Sequence, residues 1–419
     1  MTIKLLHNRL SRNTLILLFS NGGSAILSFV LSVIIGRMLG ENGLGVYAAA
    51  LAWIFPLSLM TEFGLGTLIT RDIAHSPEKT EDYVRLAVMI RLFIGGGLML
   101  LVWIIAPLLS DDFAVIQGLR LSVPMILLVP LYGTFTAVFR ARQVMKPIAV
   151  LNLSMLMAQV ILTASVFLSG GGVQAALIVN VVTSMGQVIA AWAIYRRNFV
   201  RQHTKRGRDT PSPYTLVNLL KRALPFAVAA ILGALQLRLN FIFLEQFAGT
   251  IVVGQYVAAS RFVEAALMIP AALFGALFPA LSEMKHDPLR LKRLMRWIQL
   301  GLAIYGVLFG LGVWFFGTSV MRLTYGATFE SSILILQVLA WSLLPSLLKS
   351  SRILYYYATG YENRVNIITA IVLMLQFALS LWLIRDYGAF GAAFTMIVTE
   401  SASLFLLLGM SVMHRKGKL

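Results

Sequence analysis

The sequence has no cysteine, only five histidines and little charge: Asp, Glu, Lys and Arg make up 12% of its 419 residues. Without cysteine there are no disulfides and no thiol chemistry, and thiol usage says nothing of the redox compartment. His7, His75, His203, His286 and His414 lie in polar connections with no pair at metal-ligand spacing, so no metal site is expected. A GxxxxGK[ST] phosphate loop is missing, which argues against ATP hydrolysis by the chain itself. The runs Gly95-Gly96-Gly97 and Gly170-Gly171-Gly172 lack phosphate-loop context and read as helix packing and a turn. No Ser/His/Asp set and no paired carboxylates can be assembled. Connections on one side of the expected membrane stay within about a dozen residues, too short for a catalytic domain. No catalytic residue and no cofactor is therefore expected, and the chain reads as something other than an enzyme.

What is abundant is apolar. Hydrophobic residues make up 58% of the chain and the mean hydropathy is +0.82, whereas a soluble domain carries about 25% charge. These values describe an all-α polytopic membrane protein. The first apolar run, Thr14 to Ile35, is 22 residues, about 33 Å of helix, and reads as a retained span rather than a signal peptide. Twelve such stretches can be drawn, from 14–36 and 44–69 through 218–244 and 253–280 to 389–413.

A net charge of +18 would suggest nucleic acid in a soluble protein, but its distribution points elsewhere. Alternate connections hold 24 Lys and Arg, while the others hold three, Arg37, Arg322 and Arg385. By the positive-inside rule both termini are cytoplasmic, and these cations orient loops rather than form a nucleic-acid patch. Arg196 to Thr215, with Lys205-Arg206-Gly207-Arg208 and Pro211-Ser212-Pro213, reads as a cytoplasmic linker. It divides the chain into an N-terminal lobe 1–195, a linker 196–216 and a C-terminal lobe 217–419. The basic segment Lys285 to Trp297 reads as a helix at the headgroup level.

Two stretches look alike. Gly45-Val46-Tyr47-Ala48-Ala49-Ala50 recurs as Gly254-Gln255-Tyr256-Val257-Ala258-Ala259, a shift of 209, and Phe63-Gly64 recurs as Phe274-Gly275, a shift of 211. The shift is half the chain, so the sequence reads as two pseudo-symmetric six-helix lobes. Internal duplication is a transporter trait, because sites form where repeats rock against each other.

Polar groups inside the spans are the candidates for function. Asn21, Ser24, Ser28 and Ser32 form one stripe of the first span; the stripe serves either close helix packing or the lining of a cavity. Tyr47, Ser58 and Glu62 share a face of the second, and Tyr256, Ser260 and Glu264 a face of its counterpart. Arg238, Arg261, Glu62, Glu264 and Glu400 are deep, and a charge at a span's centre costs about 2.5 to 3.5 kcal/mol, so these should face protein or water. Arg85, Arg91 and Lys349 lie within two turns of the cytoplasmic ends and are expected to snorkel, as is Arg120 toward the outer face. Arg238 and Arg261 lie about 9 and 12 Å from the outer ends of adjacent helices. Either they form one cationic substrate site, or Arg261 and Glu264, with Arg238 or Glu245, form a buried structural ion pair. Guanidinium pairs suit phosphate, while Glu62 and Glu264 are candidates for coupling to H⁺ or Na⁺.

The architecture, together with Gly36-Arg37-Met38-Leu39-Gly40-Glu41-Asn42-Gly43-Leu44-Gly45-Val46-Tyr47, Glu62-Phe63-Gly64-Leu65-Gly66-Thr67 and Thr70-Arg71-Asp72-Ile73-Ala74, resembles the polysaccharide transporter family, the Wzx-type O-antigen flippases of the multidrug/oligosaccharidyl-lipid/polysaccharide superfamily. The resemblance implies a bacterial inner-membrane protein that moves an undecaprenyl-diphosphate-linked oligosaccharide from the cytoplasmic to the periplasmic leaflet. It further implies two lobes around a cationic central cavity, alternating access, and partners among membrane lipids and other polysaccharide-assembly proteins. No site residue carries over by motif. A multidrug exporter of the same superfamily should favour acidic cavity residues, and a polysaccharide polymerase a large external loop; the two deep arginines and the short loops argue against each.

Overall fold

The computed structural model describes residues 2–200, 216–268, 270, 274, 288–359 and 361–415. They form long helices, with no strand among them. In chain order these are α1 Thr2–Glu62, α2 Leu65–His75, α3 Thr80–Leu109, α4 Phe113–Ser122, α5 Met125–Ala141, α6 Lys146–Leu168 and α7 Val173–Tyr195. They continue as α8 Leu216–Ala266, α9 Pro288–Thr324, α10 Ser331–Thr359 and α11 Glu362–Arg415. Helix is what hydrocarbon demands: every backbone N–H and C=O must be satisfied within the segment. The large side chains turned outward, such as Phe93, Leu108, Phe315 and Trp382, are apolar.

Where the sequence reading draws twelve separate spans, the described residues hold nine helices long and apolar enough to cross a membrane. Three of these run 61, 49 and 48 residues, roughly 70 to 90 Å and far beyond one bilayer. Within α1, α8 and α11, which these stretches contain in large part, the helix breaks at one glycine with positive φ: Gly40 (69°), Gly249 (82°) and Gly388 (54°). The first stretch breaks again at Phe63 and Gly64, between α1 and α2. The reversal after Gly388 is so tight that a Cβ on Gly391 would fall on the Leu383 carbonyl oxygen. Only glycine adopts this backbone without strain, so one residue turns the chain where a loop was expected. Gly40 and Gly249 stand 209 residues apart, the shift of the sequence repeat.

By packing, the chain separates into two units. The first comprises residues 1–31 and 46–238, the second 32–45 and 239–419. One core of the first unit joins Leu65, Leu68 and Ile73 of α2 to Tyr83 and Ile90 of α3 and Phe135 and Phe139 of α5. It also takes in Leu219 and Ala223 from the start of α8. That start is pinned by Arg222, whose guanidinium lies 2.8 Å from Asp72, a carboxylate that also accepts from the Tyr83 hydroxyl at 2.9 Å. A second core gathers Ile54, Val102, Leu119 and Ile126 around α4, which is N-capped by Asp112. In the second unit Tyr356 of α10 packs with Val365 and Leu407 of α11 and donates to the Leu407 carbonyl at 2.9 Å. Most of the 196–216 linker, Gly275 of the shorter repeat, and residues 285–287 of the basic segment lie outside the described residues.

Candidate functional site

The stretch Gly36 to Gly45 finds partners for nearly all its unusual residues within the second unit. Arg37 donates to the Leu323 and Thr324 carbonyls, closing the exposed C-terminus of α9 with a cation. Gln255 donates to Glu41 at 3.0 Å, and Thr250 to Asn42 at 2.6 Å. Gly36 lies against Tyr325 and Phe329, and the Tyr325 hydroxyl donates to Ser32 at 2.9 Å. A Cβ on Gly45 would fall on the Thr250 carbonyl oxygen, and one on Gly254 on that of Glu41. Each member of one pair stands 209 residues from its counterpart in the other, so the contact is reciprocal about a local two-fold axis. This backbone-to-backbone approach requires glycine on both sides.

The two repeat tyrosines each anchor a buried polar network. In the first unit the Tyr47 hydroxyl accepts from Gln159 at 3.2 Å and from Asn180 at 3.4 Å. In the second, Asn240 donates to the Tyr256 hydroxyl at 3.5 Å and to the Ala392 carbonyl at 3.3 Å. Its carbonyl oxygen accepts from Gln376 at 3.2 Å and Ser380 at 3.0 Å. Sequence reading missed Gln159, Asn180, Asn240, Gln376 and Ser380. A signal did exist: Met157, Gln159, Leu162 and Thr163 recur as Met374, Gln376, Leu379 and Ser380, at a shift of 217.

The deep charges fall into separate groups. Arg91 does not snorkel. It is fully buried, its Nη1 donating to the Pro130 carbonyl at 2.6 Å and to the Thr134 hydroxyl, with Nη2 3.5 Å from Glu62. Distance along the helix suggested a route to the headgroups, but the side chain points inward, where acceptors are waiting. Glu62 also accepts from the Gly64 and Gly66 amides at 3.1 and 2.8 Å, capping α2 where Phe63 and Gly64 leave helical geometry. Lys349 likewise turns inward, to Glu400 on α11 at 2.6 Å. Arg120 is half-buried, its guanidinium carbon 5.1 Å from the centre of the Trp103 ring.

Of the expected site residues, Arg238 belongs to the first unit and Arg261 to the second. The Arg238 guanidinium lies 5.0 Å from the centre of the Phe55 ring, a cation–π contact. Arg261 pairs with Glu264 at 2.8 Å, and the two side chains keep 26% and 46% exposure, unlike the closed Lys349–Glu400 pair. Asn21 is exposed and Ser24 and Ser28 half-buried, whereas Tyr47 and Tyr256 are buried. Among the described residues no group of three or more His, Asp or Glu could hold a metal ion.

Residues 10–285 match the family described as polysaccharide biosynthesis protein. A Shigella dysenteriae protein with the provisional name O-antigen transporter is 23% identical over 410 residues, 95% of this chain and 99% of its own length. The stage V sporulation protein B of Bacillus subtilis is 24% identical over 76% of this chain and 67% of its own. Among solved structures, an inward-facing multidrug resistance MATE transporter of the MOP superfamily superposes with a TM-score of 0.75 at 14% identity, over 94% of this chain and 95% of that one. The lipid II flippase MurJ superposes at 0.74 and 17% identity, over 94% and 86%. At these identities the structures establish a shared fold.

Proposed function

The chain belongs to the polysaccharide biosynthesis protein family, and from that premise we propose that it flips an undecaprenyl-diphosphate-linked oligosaccharide from the cytoplasmic to the periplasmic leaflet of the bacterial inner membrane. It is a multi-pass membrane transport protein rather than an enzyme, in keeping with its family and relatives. The observation that carries the substrate reading is the end-to-end match, 95% of this chain and 99% of the other, to the Shigella protein with the provisional name O-antigen transporter.

The physical task fits. A diphosphate-sugar headgroup cannot cross about 30 Å of hydrocarbon unaided, whereas a polyprenyl tail gains nothing by leaving it. The protein need offer only the headgroup a polar, cationic passage. We assign that cationic site to Arg238 and Arg261, with both termini in the cytoplasm and alternating access as the mechanism. Glu264, the more exposed of the two coupling carboxylates, is the group through which H⁺ or Na⁺ would give direction. Purified protein in liposomes should move a fluorescent undecaprenyl-diphosphate oligosaccharide between leaflets and leave a cationic dye in place. Movement of the dye alone would make it an exporter.

A further inference from the structure

We infer that a groove in the first unit, between α3, α5 and α7, binds one hydrocarbon chain of an anionic phospholipid, with the lipid phosphate held by Arg85 and Arg196. The groove has a volume of about 570 Å³ and is walled by Val88, Leu92, Leu131, Phe135, Val188 and Trp192. Lipid-facing helix surfaces are convex and need no specific occupant; this one is concave and open to the side, with apolar walls shaped for an inserted chain.

Its charges identify the occupant. Arg85, one turn before Met89 on α3, lines the groove, and its exposed guanidinium makes no hydrogen bond or ion pair among the described residues. Arg196 follows the last residue of α7 and lies with its guanidinium carbon 5.5 Å from the centre of the Trp192 ring, which walls the same groove. An apolar slot beside two exposed guanidiniums is complementary to an amphiphile with a tail and a phosphate. Basic pockets between membrane helices take anionic headgroups in this way, and the guanidinium fork matches phosphate oxygens. The groove also lies at the end of the helices where basic connections cluster, as expected for a leaflet-facing headgroup site. The groove lining and its two cations include neither Arg238 nor Arg261, to which the flipping site is assigned. The inference therefore does not depend on the flipping function.

The test is native mass spectrometry of the intact protein, delipidated in neutral detergent and titrated with phosphatidylglycerol or phosphatidylcholine. Phosphatidylglycerol should bind more tightly, by about fivefold for each guanidinium engaged. Arg85→Gln with Arg196→Gln should remove this preference while leaving the unfolding temperature unchanged. Val188→Trp, which fills the groove but keeps both cations, should weaken both lipids. Equal binding of the two lipids, or a preference that survives the double substitution, would overturn the inference. So would displacement of bound phosphatidylglycerol by equimolar undecaprenyl phosphate, which would give the groove to the carrier lipid.

Discussion

Replacing Arg91 with methionine should be among the most destabilising single changes in the first unit, and Glu62→Gln should largely rescue it. Arg91 is fully buried, with Glu62 as its counter-charge and Thr134 and the Pro130 carbonyl as acceptors. Arg91→Met keeps most of the volume but leaves a carboxylate at 19% exposure without its cation, a loss of about 3–5 kcal/mol by the usual behaviour of broken buried pairs. Glu62→Gln alone strands the guanidinium and costs a similar amount. The double substitution removes both charges. The carboxamide oxygen introduced by Glu62→Gln still accepts from a glycine amide, and Thr134 still serves Pro130, so the cost should fall to about 1–2 kcal/mol, the penalty of a buried group left unsatisfied. The single costs sum to at least about 6 kcal/mol and the double costs at most about 2, so the coupling between the two sites is at least about 4 kcal/mol. Denaturant unfolding in mixed micelles, followed by tryptophan fluorescence, measures all four proteins. Additive costs would refute the reasoning, since they would mean that the two groups do not sense each other across 3.5 Å.

The Lys349–Glu400 pair should tolerate exchange better than loss. Lys349→Met should cost about 3–5 kcal/mol of unfolding free energy, while Lys349→Glu with Glu400→Lys should recover at least half of that; equal damage from both would show that side-chain shape, not charge, governs the site. Gly45→Val should force the turn at Gly40 away from α8, at a cost of about 1–3 kcal/mol for overpacking. Because the chain has no other thiol, an Asn42→Cys, Thr250→Cys pair reports this contact by disulfide formation, and Gly45→Val should abolish the cross-link; an unchanged yield would contradict the described contact.

The repeat was legible where the fold leaves a residue no alternative. Gly45 and Gly254 cannot carry a side chain because each faces the other segment's carbonyl, and Tyr47 and Tyr256 each meet a buried amide. That left a matching pattern at one shift. Beyond it the insertions between repeats accumulate, so Gln159 and Gln376 match at 217 instead of 209 and escape a search at fixed spacing. The inward turn of Arg91 and Lys349 was illegible for another reason. Counting residues from a helix end measures depth but not direction, and direction depends on whether a neighbouring helix presents Glu62 or Glu400. The broken helices were hidden by economy, since Gly40 reverses the chain in one residue while the polar residues around it stay helical.

The most direct test of the central claim is the flipping rate of the fluorescent undecaprenyl-diphosphate oligosaccharide in liposomes holding the intact protein, Arg238→Ala or Arg261→Ala. Losing a charge-assisted contact to the diphosphate should slow flipping by at least about tenfold in each variant, with folding unchanged by thermal unfolding in detergent. Flipping that persists at the full rate in both variants would contradict the cationic site, and its absence from the intact protein would contradict the flippase itself.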